Sequence, residues 1–213
     1  SWGRLLCYAK KLMKRWQDIP GWFNFERVYD LAPVFLRNNK LKFLEIGSFL
    51  GKSTMYMYEI LKSKNIDMDF NIIDTFTGPV TGKWENQKLW DGFDIKPVED
   101  FYPLFKENLG EAINEINVYR IPSIEAVNTF PDNYFDFVFI DGDHQIESVY
   151  SDISLYYPKV RTGGFFGGDD WPGVQYQEIE RDSIKLAYDK YFADSEKLKE
   201  PFRHGSSWFI IKP

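Results

Sequence analysis

The chain has 213 residues, 44% hydrophobic and 27% charged, a size at which one domain can bury on the order of 70% of its unfolded surface without staples. A single cysteine, Cys7, excludes an internal disulfide framework and a cysteine-based zinc cluster, and two histidines, His144 and His204, are too few for a histidine-rich metal site. A net charge of −6 argues against broad attachment to nucleic acid and no apolar run approaches the ~18 residues of a membrane span, so the expectation is a cytoplasmic, single-domain protein that is not integral to a membrane.

Charge is unevenly spread. Residues 1–16 hold Arg4, Lys10, Lys11, Lys14 and Arg15 and no acid, so the chain's 26 bases fall to 21 against 32 acids in the remainder. Leu5, Ala9, Leu12, Met13 and Trp16 recur there at helical spacing, which predicts a basic amphipathic helix opening an N-terminal helical extension over 1–30. Such a helix packs on the domain or on a second subunit of a homodimer, or meets an anionic membrane surface or acidic partner. It lacks the apolar core of a signal peptide.

Downstream, strand-like and helix-like segments alternate. The apolar run 41–46 ends at Gly47 and is followed by a helical stretch over 53–62. Segments 69–74, 117–121 and 135–141 read as the second, third and fourth strands, the fourth being the most hydrophobic. A helix over 147–157 leads to the glycine-rich run 163–168, which reads as the fifth strand. A helix near 176–191 then precedes a hairpin turned at Gly205 and a final strand over 208–212. Strands that are apolar throughout and separated by helices predict a mostly parallel sheet covered on both faces. Residues 75–97 break this rhythm, with glycines, prolines and two tryptophans but no period. This segment leaves the edge where open α/β sheets bind ligands, and reads as a lid or as a well-packed surface excursion.

Glu45-Ile-Gly47-Ser48-Phe-Leu-Gly51-Lys52-Ser53 joins the first strand to its helix. Its glycines let backbone approach a ligand, and the helix that follows offers free N–H groups to an anion. A phosphate loop needs one more residue between its glycines, and a dinucleotide fingerprint needs a glycine where Ser48 or Phe49 stands. Farther along, Asp141-Gly-Asp143-His144 and Gly167-Gly-Asp169-Asp170-Trp171 each close an apolar strand. Neighbouring strands bring Asp141, Asp143, Asp169 and Asp170 to one point, where carboxylates repel one another unless a cation is present. Oxygen ligands without cysteine favour Mg²⁺, Mn²⁺ or Ca²⁺ over Zn²⁺.

An acidic residue followed by G-x-x-x-G resembles motif I of the class I S-adenosylmethionine-dependent methyltransferases. The run F-I-D-G-D-H, then Asp152, then G-G-F-F-G-G-D-D-W is similar to the divalent-metal-dependent O-methyltransferases. These include the catechol-type enzymes and, closer still, the sugar O-methyltransferases of macrolide and aminocoumarin pathways. The likeness spans 43–171. It implies a Rossmann-like α/β fold with a mostly parallel seven-stranded sheet, an antiparallel C-terminal strand and S-adenosylmethionine as methyl donor. Gly47, Ser48 and Gly51 would then form the cofactor loop, with Glu45 on the methionine amino group and Ser53 near its carboxylate. Asp74 would accept the ribose hydroxyls, Ser123 would lie beside the adenine, and Asp141 would border the cofactor. Asp141, Asp169 and Asp170 would bind Mg²⁺ or another hard divalent cation, and the general base would be Asp143 or His144. Gln145 stands where the catechol-type lysine base would be expected nearby, which counts against that variant. The implied acceptor is a hydroxylated small molecule, a sugar or glycosylated compound, selected by Trp84, Trp90, Trp171 and the lid. Two alternatives are a Mg²⁺-dependent nucleotide-binding or phosphoryl-transfer protein, invited by G-x-x-x-G-K-S, and a non-catalytic subunit of the same fold.

Overall fold

A computed structural model describes residues 14–78, 92–93, 98–174 and 181–213. In chain order these hold α1 (Glu26–Tyr29), β1 (Lys40–Ile46), α2 (Lys52–Ser63), β2 (Asp67–Ile73), α3 (Tyr102–Leu109), β3 (Ile116–Tyr119), α4 (Ser123–Ala126), β4 (Phe135–Ile140), α5 (Ile146–Tyr156), β5 (Val160–Gly168), α6 (Ser183–Phe192), β6 (Phe202–His204) and β7 (Ser207–Ile211). The strands form a seven-stranded sheet in the order β3-β2-β1-β4-β5-β7-β6. β7 runs antiparallel to both its neighbours, and the other pairings are parallel.

Each face of the sheet is covered by its own apolar layer. Val149, Ile153 and Tyr156 make one buried stripe along α5, and Ile184, Ala187, Tyr188 and Phe192 make another along α6; both recur at the three- and four-residue steps of a helix face. Together with Leu44, Val138 and Phe166 they fill one side. α2, α3 and the segment around Tyr29 fill the other with Phe43, Phe70, Phe137 and Phe139. The aromatic content of 18% is spent here on interlocked rings: Phe137 stacks on Phe165 at 3.8 Å, and Tyr29 meets Phe139 edge-on at 5.1 Å.

Register places the site. Ile46 pairs with both Ile73 and Ile140, and Ile140 pairs with Gly168, so four strands end at one level. The ladder then runs one bond further: Gly47 N–H donates to Ile73 O, Asp141 N–H to Ile46 O, and Asp169 N–H to Ile140 O. β1 sits between β2 and β4, which makes this the switch point where the strand order reverses.

Several boundaries differ from expectation. The proposed basic helix lies outside the described residues up to residue 13, and its predicted end does not continue past it. Trp16–Asp18 is a short 3₁₀ turn, and the chain to residue 30 holds only that turn and the four-residue α1. Pro20 and Gly21 (φ 142°) break any longer helix. Most of the predicted lid, 79–91 and 94–97, is outside the described residues, as are Trp84 and Trp90. Of the helix expected near 176–191, residues 176–180 lie outside the described residues and α6 occupies Ser183–Phe192; β3 ends two residues early at Tyr119. The helix α3 was not anticipated; its buried Phe105 and Leu109 pack under the glycine loop. No described helix is long and apolar enough to cross a membrane.

Candidate active site

The loop after β1 is shaped by close approach. Gly47 has φ +83°, and a Cβ there would stand 1.9 Å from Asp141 O, so only glycine lets the two strand ends meet. Gly51 (φ +89°) caps α2, and a Cβ there would lie 2.4 Å from Leu109 Cδ1. Asp74 locks the loop from the side: its Oδ2 accepts from Ser48 N–H (2.8 Å) and Phe49 N–H (3.0 Å), and its Oδ1 from Phe76 N–H (2.7 Å). Burial raises the Asp74 pKa even though these donors pull it down.

Glu45 lies deeper. It is fully buried, with Tyr29 OH donating to Oε1 (2.7 Å) and Thr54 Oγ1 to Oε2 (2.5 Å). Burial is the largest influence on it and lifts its pKa to about 7, opposed by hydrogen bonds from Ser53, Thr54 and Tyr29. Glu45, Ser48, Gly51 and Ser53 do not border the cavity that opens in front of the loop, whereas Gly47 does.

That cavity measures about 440 Å³. Gly47, Asp74, Ser123, Asp141, Asp143 and His144, all singled out from the sequence, line it together with Asp152. A second, much smaller cleft of about 10 Å³ shares Asp141, Asp143 and His144 with it and is closed by Asp169, Asp170 and Trp208. Four carboxylates and His144 meet there around space for about one water-sized occupant, backed by Ile140, Val149, Ile184 and Trp208, a size that suits an ion and not a substrate.

Ligand atoms of Asp141, His144 and Asp170 all lie within 4.8 Å of one another. His144 Nε2 and Asp170 Oδ2 are 2.6 Å apart. Asp170 holds this position with φ +61°, a left-handed backbone that aspartate tolerates better than most non-glycine residues. Asp169 is held differently: its Oδ1 accepts from Ser206 Oγ (2.8 Å) and Ser207 Oγ (3.0 Å), although it lines the same cleft. The Asp141 carboxyl is pushed well above the usual range, first by burial and then by Asp170, Asp169, Glu45 and Asp74. The strongest charges acting on it are all negative, and a bound cation would relieve them. Asp143 is tied locally, accepting from His144 N–H (2.8 Å) and Ser148 Oγ (2.8 Å). His204 lies on the exposed strand β6, away from both cavities.

Two features have no role in the sequence reading. Asp152 lines the large cavity while sitting on the apolar stripe of α5, and Ser206 and Ser207 orient Asp169 from the C-terminal hairpin. A carboxylate at a core-facing helical position was a readable signal for the first. The serines, more than thirty residues away in sequence, left none.

Residues 44–171 match the family described as a methyltransferase domain. The chain is 31% identical over 179 residues to the uncharacterised protein R132 of Acanthamoeba polyphaga mimivirus, covering 83% of this chain and 70% of that protein. Among solved structures, the O-methyltransferase NovP superposes with a TM-score of 0.64 at 18% identity, over 89% of this chain and 78% of its own. CalS11, a TDP-rhamnose 3′-O-methyltransferase of calicheamicin biosynthesis, gives 0.56 at 9% identity over 87% and 77%. MycE, solved with Mg, SAH and mycinamycin VI, gives 0.52 at 19% identity over 91% of this chain but 50% of its own. At these identities the structural likenesses concern the fold.

Proposed function

The chain belongs to the methyltransferase family, and from that premise we propose that it transfers the methyl group of S-adenosylmethionine to a hydroxyl of a sugar or glycosylated small molecule, with a divalent cation in the acidic cleft. The observation that carries this reading is the convergence of Asp141, His144 and Asp170 beside the cavity of about 440 Å³. NovP and CalS11 are described as O-methyltransferases, CalS11 as acting on TDP-rhamnose, and MycE was solved with Mg; these neighbours support the acceptor class and the cation.

The donor set fits a hard cation, with Asp141, Asp170 and Asp169 as oxygen ligands and His144 within reach. A divalent ion bound there would lower the pKa of the acceptor hydroxyl and fix its oxygen. The chain's own residues do the remainder. Asp74 Oδ2 is occupied by Ser48 and Phe49, but Oδ1 holds only the Phe76 N–H and keeps one acceptor position, enough for a single ribose hydroxyl. Asp143 or His144, which border both cavities, takes the proton released as the new C–O bond forms. Positioning in a site that excludes water supplies much of the rate.

The phosphoryl-transfer alternative loses its support. Lys52 Nζ sits 6.0 Å from the centre of the Trp16 ring, Ser53 faces Glu45, and neither residue borders the cavity. Thermal melting with S-adenosylhomocysteine, ATP and NAD, each with Mg²⁺ and with EDTA, tests the proposal. At 100 times Kd a ligand adds ~2.7 kcal/mol, roughly 5–11 °C at this length. S-adenosylhomocysteine is expected to raise the melting temperature, and Mg²⁺ to raise it further. A shift with ATP and Mg²⁺ but none with S-adenosylhomocysteine overturns the reading. Cofactor binding with no metal-linked methyl transfer to any hydroxylated acceptor would leave the non-catalytic subunit.

A further inference from the structure

Asp152 is 5% exposed and shares the α5 stripe with Val149, Ile153 and Tyr156. A carboxylate buried among such neighbours needs hydrogen-bond donors. It has one: Ser123 Oγ donates to Oδ1 at 2.5 Å. Its other oxygen lies 3.8 Å from the point a Cβ on Gly142 would occupy, at the wall of the large cavity, and no described residue donates to it. Burial, with a contribution from Asp143, lifts this carboxyl to about 7, the behaviour of an acid short of partners.

Three hydroxyl hydrogens around this end of the cavity are already committed. Ser123 spends its hydroxyl hydrogen on Asp152, Ser148 spends its own on Asp143, and Tyr156 OH donates to Ser123 O at 2.6 Å. What these groups offer inward is acceptor capacity. Ile121 and Ile124 add half-exposed aliphatic surface on the same rim. The complement is a flat ring with an N–H donor on its edge.

We propose that Asp152 is the residue that selects the nucleobase of the methyl donor, its free carboxylate oxygen accepting a hydrogen bond from the exocyclic amine of adenine while Ser123 holds the carboxylate in place. This rests on the methyltransferase reading above and deepens it. Ser123 is then a positioning residue, and α5 ties the base-reading end of the cavity to the Asp143–His144 segment that precedes it.

The test is calorimetric binding of S-adenosylhomocysteine and of its analogue with hydrogen in place of the 6-amino group, to the wild type, Asp152→Ala and Asp152→Asn, with circular dichroism to verify folding. The wild type is expected to bind the amine-free analogue ~10-fold or more weakly, the loss of one hydrogen bond to a charged group. In Asp152→Ala, which removes the acceptor, affinity for S-adenosylhomocysteine should fall to about that of the analogue, with the ratio collapsing toward one. Asp152→Asn keeps one acceptor oxygen and should fall between the alanine variant and the wild type. A wild type that binds S-adenosylhomocysteine without discrimination, or a folded variant that keeps the wild-type ratio, overturns this inference alone. A wild type that binds neither compound overturns the methyltransferase reading along with it.

Discussion

Strand β4 carries one aspartate near each end, and the fold treats them in opposite ways. Asp136, near its start, is 1% exposed and fully matched: Arg37 Nε and Arg161 Nε each lie 2.6 Å from Oδ1, and Lys42 N–H donates to Oδ2 at 2.9 Å. The guanidiniums are themselves anchored on Tyr134 O and Phe35 O, both at 3.0 Å. Asp141, just past the strand's other end, faces Asp170, Asp169, Glu45 and Asp74, and its carboxyl is raised accordingly. A buried charge is tolerated when paired and costly when not. The matched end stitches β4 and β5 to the chain before β1. The unmatched end carries the repulsion that the proposed cation would offset. The same residue type on one strand is structural where its partners are supplied and functional where they are withheld.

Substituting both ends alike breaks or sharpens the comparison. Asp141→Asn is expected to abolish methyl transfer, a loss on the order of 10³-fold or more, while S-adenosylhomocysteine binding stays within a few-fold. The Mg²⁺-dependent rise in melting temperature should vanish, and the metal-free variant should melt higher than the metal-free wild type because a repelling charge has gone. Full activity in this variant would refute the metal assignment. Asp136→Asn should do the reverse to stability. It leaves two guanidiniums around a neutral amide and should cost about 3–5 kcal/mol, roughly 6–20 °C of melting temperature. Equal effects of the two substitutions on the metal-free protein would dissolve the distinction.

Smaller in effect, but decisive for mechanism, is the choice of base. Asp143→Asn and His144→Ala, assayed in parallel under saturating Mg²⁺, should differ: the true base costs on the order of 10²-fold in kcat, the other much less. Comparable losses in both would point to a shared relay in place of a single acceptor. The structure adds one constraint to this experiment. His144 is paired with Asp170, so its replacement also disturbs a candidate metal ligand. Mg²⁺ affinity must therefore be measured alongside kcat.

How much of this was legible beforehand follows the range of the forces involved. Buried parallel strands announce themselves because nearly every residue is apolar, as in Phe135–Ile140, where Asp136 is the one exception and all six residues are buried. The Gly47 loop and the Asp141 and Asp169–Asp170 strand ends follow from local pattern plus sheet adjacency, and they did meet at the carboxyl edge. How each aspartate of the pair is held beside Asp141 was not local information. It depends on the left-handed backbone of Asp170 and on Ser206 and Ser207, delivered by the antiparallel β7 hairpin. The inward placement of Glu45 was equally hidden, because Tyr29 and Thr54 reach it from separate elements. The N-terminal helix failed past residue 13 for the opposite reason: its apolar spacing was real, but Pro20–Gly21 and the packing of Trp16 between Phe23 and Tyr56 set the local conformation.

The mildest test titrates the unmatched end without touching a candidate metal ligand. Glu45 ionises near 4.5 in the unfolded chain and near 7 when buried in the fold. Between those values the folded protein keeps a proton that the unfolded chain has released. Its contribution is thus fully present below pH 4.5 and is lost as pH rises through 7. In metal-free wild type, stability should therefore fall from pH 5 to pH 7.5, with Glu45 accounting for about 1–3 kcal/mol. Glu45→Gln keeps the shape but cannot titrate, so urea melts at the two pH values should show a flatter slope by that amount. Asp152, also near 7, would still contribute to what remains. Identical slopes in the two proteins would mean that the carboxyl edge carries its charges in the folded state as comfortably as Asp136 does, and the contrast between the two ends of β4 would lose its energetic basis.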